Sequence, residues 1–277
     1  MTTLNPIDTT EYIRSSYLRY LKTIYPFQNE KLRTAFWTAL EEQERLIKGP
    51  LLESTPPFVA GRSIEQLVSA AVLHPGFQRL CSSALPWSRP LYLHQDRAVS
   101  KIVAEQRNLI VSTGTGSGKT ESFLIPILDH LLREEAAGTL DQPGVRALLL
   151  YPMNALANDQ LKRLRKILSR YPAITFGRYT GETEAKEERA KERFFDQFPH
   201  DELLPNELIS RSAMQAAPPH ILLTNYAMLE YLLIRPEDCE FFDGPTGRHW
   251  RFIVLDEAHI YDGAIGIEMS MLLRRLK

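Results

Sequence analysis

The chain has 277 residues, 44% apolar and 24% charged, which is the balance of an ordinary folded protein and excludes a disordered, collagen-like or wholly coiled-coil chain. Lys and Arg number 33 against 34 Asp and Glu, so the net charge of -1 provides no global positive field and any nucleic-acid contact has to come from a local basic patch. Two cysteines are too few for a disulfide framework, and no signal pattern or membrane-length apolar run is present, so a cytoplasmic protein without membrane contact is expected.

In chain order, residues 1–85 read as a helical N-terminal extension. Ile13, Tyr17, Leu18 and Leu21 share one helical face, and Leu32, Phe36, Leu40 and Ile47 continue the pattern until Gly49 and Pro50 stop it. Ser63 is the expected N-cap of a helix running to Leu73. From residue 86 onward the texture changes. Apolar runs at 108–111, 146–151, 174–176, 220–224 and 251–255 alternate with amphipathic stretches, the signature of an α/β domain with a central, mainly parallel sheet covered on both faces. The segment 182–193 mixes Glu and Lys/Arg at i,i+4 spacing and reads as a solvated surface helix.

Thr113-Gly114-Thr115-Gly116-Ser117-Gly118-Lys119-Thr120 lies between the expected strand at 108–111 and an expected helix from Glu121 to Leu132. That is the context of a P-loop: glycines let successive N–H groups curl inward at a phosphate, and a helix start adds partial positive charge. Lys119 is placed to neutralise the β- and γ-phosphates of ATP and Thr120 to meet Mg²⁺. Asp256 and Glu257 end the last expected strand, where carboxylates are costly without a task. Asp256 is the candidate Mg²⁺ partner, and Glu257 the candidate general base for the attacking water. His259 reads either as a coupling residue or as a packed core histidine.

This set resembles the DEAD/DEAH-box helicases of superfamily 2. Residues 113–120 are similar to motif I and Asp256-Glu257-Ala258-His259 to motif II. Between them, 151–160 is similar to motif Ia, Thr180-Gly181 stands at motif Ib and Thr224-Asn225 at motif Ic. Thr113 departs from the general P-loop glycine, a change the superfamily tolerates. Leu93-His94-Gln95 resembles the adenine-reading Q motif. Within the family, the stretch after Thr113 and the Tyr-Pro-Met-Asn-Ala-Leu-Ala box look like large bacterial helicases related to the repair helicase MrfA (YprA), some of them from anti-phage Druantia systems.

The resemblance implies that residues 86–277 are a first RecA-like ATP-binding domain. Nucleotide contacts would come from Gln95, Thr115, Gly116, Ser117, Gly118, Lys119, Thr120 and Glu121, and metal contacts from Thr120 and Asp256. A single strand, DNA rather than RNA, would pass along Asn154, Lys162, Thr180, Gly181, Thr224 and Asn225. The basic stretch Lys162, Arg163, Arg165, Lys166 and Arg170 would steer it, with Arg178 a further candidate. No Ser-Ala-Thr motif III follows His259, so the second RecA-like domain is expected outside this chain. The intact protein would be an ATP-dependent helicase with repair or defence partners. Taken alone, the chain would be an ATP- and nucleic-acid-binding module without turnover. A small-molecule kinase or a guanine-nucleotide switch fits the Gln95 and Asp-Glu-Ala-His pattern less well.

Overall fold

The structure, a computed structural model, describes residues 5–41, 57–114, 116–199 and 201–276. The chain divides into two units, Met1–Pro57 and Phe58–Lys277.

The smaller unit holds α1 (Pro6–Ile24) and α2 (Glu30–Glu41). Asn5 caps α1, its side chain accepting from the Ile7 N–H, and Pro6 at the first helical position needs no hydrogen-bond partner for its nitrogen. Tyr25 and Phe27 pack edge-on against Phe36, and Lys22 lies over the Trp37 ring. Neither helix has a buried residue. Ile47, Gly49 and Pro50 lie outside the described residues.

The larger unit begins with β1 (Ala60–Ser63), α3 (Ile64–Ser69), α4 (Phe77–Leu80), β2 (Pro90–Tyr92) and α5 (Leu93–Val103). Ser63 caps α3 as the sequence predicts, in a reciprocal box with Gln66. β1 pairs antiparallel with β2. Residues 58–85, grouped with the helical extension on sequence pattern, lie in this unit. Ile64, Leu67, Phe77 and Leu80 are buried in one cluster with Leu124, Ile127 and Leu131.

There follow α6 (Lys119–Ala136), β3 (Ala147–Tyr151), α7 (Asn154–Leu168), β4 (Phe176–Arg178), α8 (Glu187–Gln197), β5 (Glu207–Leu208), α9 (Arg211–Ala216), β6 (Ile221–Asn225), α10 (Tyr226–Ile234), β7 (Phe252–Leu255) and α11 (Gly263–Leu276). Five strands form a parallel sheet in the order β5-β4-β6-β3-β7. Side chains alternate across it. Ala147, Leu149 and Tyr151 of β3 join Ile221 and Leu223 of β6 in the cluster that includes residues of α5, α6 and α7. Leu148, Leu150 and Leu222 join Met228, Leu229 and Leu272 on the other face. Burial on both faces is why these strands read as continuous apolar runs.

One expected strand is absent. Residues 108–111 pair with nothing in the sheet, and Ile110 is 98% exposed. The run of Leu, Ile and Val carries strand propensity, but pairing is a tertiary event, and here an open cavity separates this segment from the free edge of β7. The solvated helix also begins later than its charge pattern does, at Glu187, with Ala190 and Phe194 buried and Lys191 paired to Glu187 at 2.7 Å.

Candidate functional site

The loop before α6 turns through two left-handed glycines, Gly116 at φ +76° and Gly118 at φ +72°. A Cβ on Gly114 or Gly116 would meet nothing within 4 Å, so the loop is open on its concave side. Thr113, where the general pattern has glycine, brings its hydroxyl to 2.6 Å from that of Ser117, closing the loop across its base. Ser117 is buried, so its hydroxyl faces the loop interior. Thr115 lies outside the described residues. α6 then starts at Lys119, directing its first N–H groups and positive end at the loop.

Thr113, Gly114 and Lys119 line one open cavity of about 990 Å³ together with Asp256, Glu257 and His259. The sheet makes this meeting possible: the Asp256 N–H donates to Leu150 O at 3.0 Å, extending the β3–β7 ladder by one bond and setting the two acids at the carboxyl ends of the strands. Burial pushes the Asp256 carboxyl above the usual carboxylate range, and Glu257 beside it adds to the effect, while the Glu257 N–H and Lys119 pull it back. Glu257 sits at φ +50°, ψ 42°, a strained left-handed conformation for a non-glycine residue. Its Oε2 lies 3.3 Å from His259 Nδ1. His259 is 73% exposed on its side chain, so the packed-core reading of this histidine fails.

These groups fit a magnesium triphosphate. Loop N–H groups and Lys119 suit phosphate oxygens. Among the described residues no group of three His, Cys, Asp or Glu side chains is placed to hold a metal. Mg²⁺ does not require one: a single carboxylate and a hydroxyl, completed by phosphate and water, are a common set for it. Asp256 would supply the carboxylate and Thr120 the hydroxyl, although Thr120 is not among the residues lining the cavity; its Oγ1 lies 3.4 Å from Gln160 Nε2.

Two residues expected to touch nucleotide are used elsewhere. Gln95 is buried. Its Oε1 accepts from the Tyr92 N–H at 2.7 Å, and its Nε2 donates to Gly118 O at 2.7 Å. The third residue of α5 reaches back to the helix start, and this turns the carboxamide onto the phosphate loop instead of into an adenine pocket. Glu121 accepts from Arg163 at 2.5 Å, lies 3.7 Å from Arg89 and is also near Gln95. A carboxylate facing a triphosphate would repel it; here two guanidinium groups hold it behind the loop. The Glu121 role has no local signal, because Arg163 stands 42 positions further on.

The expected strand track is partly assembled. Asn225 caps α10: its Oδ1 accepts from the Met228 N–H at 2.8 Å, and its Nδ2 donates to Asn154 Oδ1 at 2.8 Å. Asn154 Nδ2 then donates to Glu182 Oε1 at 2.9 Å. Gly181 is open, with nothing within 4 Å of an added Cβ. Thr180 and Thr224 are fully buried. The Thr224 hydroxyl donates to Tyr179 O at 2.6 Å, so neither threonine offers its side chain to a strand; they shape the loops instead. In the basic stretch, Arg163 is spent on Glu121 and Arg165 grips Glu207 through two bonds of 2.6 Å. Lys162, Lys166 and Arg170 are exposed, Lys162 lying 3.8 Å from Asp159. No helix among the described residues is long and apolar enough to cross a membrane.

Comparison with known proteins adds the following. The profile of the DEAD/DEAH box helicase family matches residues 92–277. The chain is 29% identical to Druantia protein DruE of Escherichia coli (strain UMEA 4076-1) over 97% of its own length, and 30% identical to the ATP-dependent helicase hrq1 of Schizosaccharomyces pombe over 67%. It spans 19% and 14% of those two proteins. A solved structure of the DUF1998 helicase MrfA bound to DNA and AMPPNP matches with a TM-score of 0.56 and 24% identity, over 80% of this chain and 25% of that one. At that identity the likeness speaks for the fold alone, a RecA-like helicase domain.

Proposed function

The chain belongs to the DEAD/DEAH box helicase family, and from that premise we propose that it is the ATP-binding half of a nucleic-acid-dependent ATPase that moves on or unwinds DNA, in repair or phage defence. The observation that carries this reading is the shared cavity: Thr113, Gly114 and Lys119 on one side, Asp256 and Glu257 on the other.

In this proposal the loop N–H groups and Lys119 hold the β- and γ-phosphates of ATP, compensating charge that grows at the leaving oxygen. Thr120 and Asp256 hold Mg²⁺, which when bound neutralises phosphate charge. Glu257 accepts the proton of the water that attacks the γ-phosphorus; its strained backbone fixes the carboxylate at the strand end. His259, 3.3 Å from Glu257, relays the state of that carboxylate to the exposed surface. Gln95 and Glu121 are positioning residues that set the loop from behind. A second RecA-like domain of the intact protein supplies the arginines that complete the site, and repair or defence proteins are its partners in the cytoplasm. Without that second domain, the 277 residues bind ATP and single strands without turnover.

Lys119→Ala tests this reading. Titration with a non-hydrolysable ATP analogue is expected to show binding to the wild-type chain and a loss of about 100-fold or more in the variant. A protein that also contains the second domain should lose its ATPase with the same substitution. Wild-type binding by the variant would remove the proposal.

A further inference from the structure

We infer that Asn154 and Arg178 form a subsite for one phosphodiester of a bound single strand, and that the Glu182 carboxylate occupies this subsite while no strand is bound. This deepens the helicase reading and rests on it.

The polarity of the subsite is fixed from inside the fold. Because Asn225 Oδ1 is consumed in capping α10, its amide nitrogen has to face Asn154 Oδ1. Asn154 is thereby left presenting Nδ2, a donor, outward at the start of α7. Arg178, at the end of β4, adds a guanidinium: its Nη1 lies 3.3 Å from Glu182 Oε2 and also bonds to Asn158 Oδ1. Two convergent donors from different elements thus meet one acceptor group, the two oxygens of Glu182. A non-bridging phosphate pair has the same charge sign and the same two-oxygen reach.

The carboxylate is displaceable, whereas the loop carrying it is not. The Glu182 side chain is 45% exposed. Its backbone is pinned: Glu182 O accepts from Arg193 at 2.9 Å, and Arg211 donates to Thr180 O and Gly181 O at 3.2 Å. An exposed carboxylate rotating off a fixed backbone costs little, because exposed ion pairs are weak. Its departure leaves Arg178 and Asn154 facing the open space beside Gly181. Lys162 lines the cleft that Arg178 and Glu182 share, while Arg193 and Arg165 in it are paired with Glu184 and Glu207. The arrangement favours ligands that bring another two-oxygen anion in place of the carboxylate, and it screens out neutral polymers.

The test is anisotropy titration of a labelled single-stranded oligothymidylate with the full 277-residue chain across a salt series. Glu182→Gln is expected to bind about fivefold tighter than wild type. The slope of log K against log salt should match wild type, because the strand phosphate occupies the subsite in both proteins, whereas loss of the Arg178 contact should flatten it by about 0.7. Arg178→Ala should weaken binding, and Arg178→Ala with Glu182→Gln should lose the gain. Wild-type affinity in Glu182→Gln, or a gain that survives in the double variant, would overturn the inference. If Lys162→Ala still weakens binding in that case, the helicase reading stands and only the role of the carboxylate falls. Absence of salt-sensitive binding in both wild type and Glu182→Gln overturns the two together.

Discussion

At Gly118 the chain adopts φ +72°, and a Cβ there would stand 2.6 Å from Gln95 Nε2 and 3.1 Å from Glu121 Oε2. Gly118→Ala therefore combines backbone strain with displacement of the buried amide that holds the loop. It is expected to cost about 1–2 kcal/mol in urea unfolding and to weaken nucleotide binding as well. Gly114 makes the contrast. A Cβ at that position meets nothing, so Gly114→Ala should leave stability within about 0.5 kcal/mol of wild type while its methyl group narrows the loop opening and lowers nucleotide affinity. Unfolding curves and nucleotide titrations on the pair separate the loop's shape from its opening. The turn of the loop at Gly116 and Gly118 into a helix at Lys119 was legible in the sequence because glycine spacing encodes local geometry. Gln95 and Glu121 were legible as polar residues in the right neighbourhood but not in their direction: the bond of Gln95 to Tyr92 is local, but its bond to Gly118 and the Arg163 partner of Glu121 come from segments distant in sequence.

Between elements, a buried ion pair ties α6 to the start of β3. Arg146 is fully buried just before β3, donating to Glu134 at 2.8 Å and to the carbonyls of Gln142 and Gly144. Burial alone would raise the Glu134 carboxyl, but His130 and Arg146 more than offset it, and the group is held down at about 2. A carboxyl depressed in the folded state contributes stability above its ordinary value near 4.5, and that stability is lost as pH falls from there toward 2. Thermal melts of wild type and Glu134→Gln should differ most above pH 5, by up to about 3 kcal/mol, and converge as pH approaches 2. A gap constant across that range would show that folding does not depress the Glu134 carboxyl. Strands β3 and β6 were readable as apolar runs because both their faces are buried; β7 reads as one although Ile253 is exposed. The run at 108–111 had the same texture without a pairing partner, and β1, β2 and β5 were missed because two to four residues carry no period. β4 starts two residues later than the apolar run at 174–176 suggests; Ile174 is buried but unpaired, and its carbonyl accepts from Asn206 Nδ2 at 2.8 Å.

Over the whole molecule the order of motifs carried the family reading, because a RecA-like sheet returns distant segments to one set of strand ends. The boundary between units was harder to read. Helical patterns stand on both sides of the stop at Gly49 and Pro50, so they read as one extension, whereas burial changes abruptly: among the described residues, every buried one lies at Ser63 or beyond, and α1 and α2 have none. Helices of this kind depend on packing for most of their stability, and periodicity alone does not reveal where that packing comes from. The larger unit, Phe58–Lys277, contains both described hydrophobic clusters as well as the phosphate loop and the acids at 256 and 257. Removing residues 1–57 is therefore expected to leave a cooperative thermal transition and unchanged affinity for an ATP analogue. A cut at residue 85 should behave differently. It removes Ile64, Leu67, Phe77 and Leu80, four fully or nearly fully buried side chains that pack in the cluster with α6, and losses of about 2–5 kcal/mol apiece exceed what a domain of this size holds in reserve. Circular dichroism melts of the two truncations decide between the boundaries. A cooperative transition for residues 86–277 alone would mean that α3 and α4 are appendages to the sheet domain rather than part of its core.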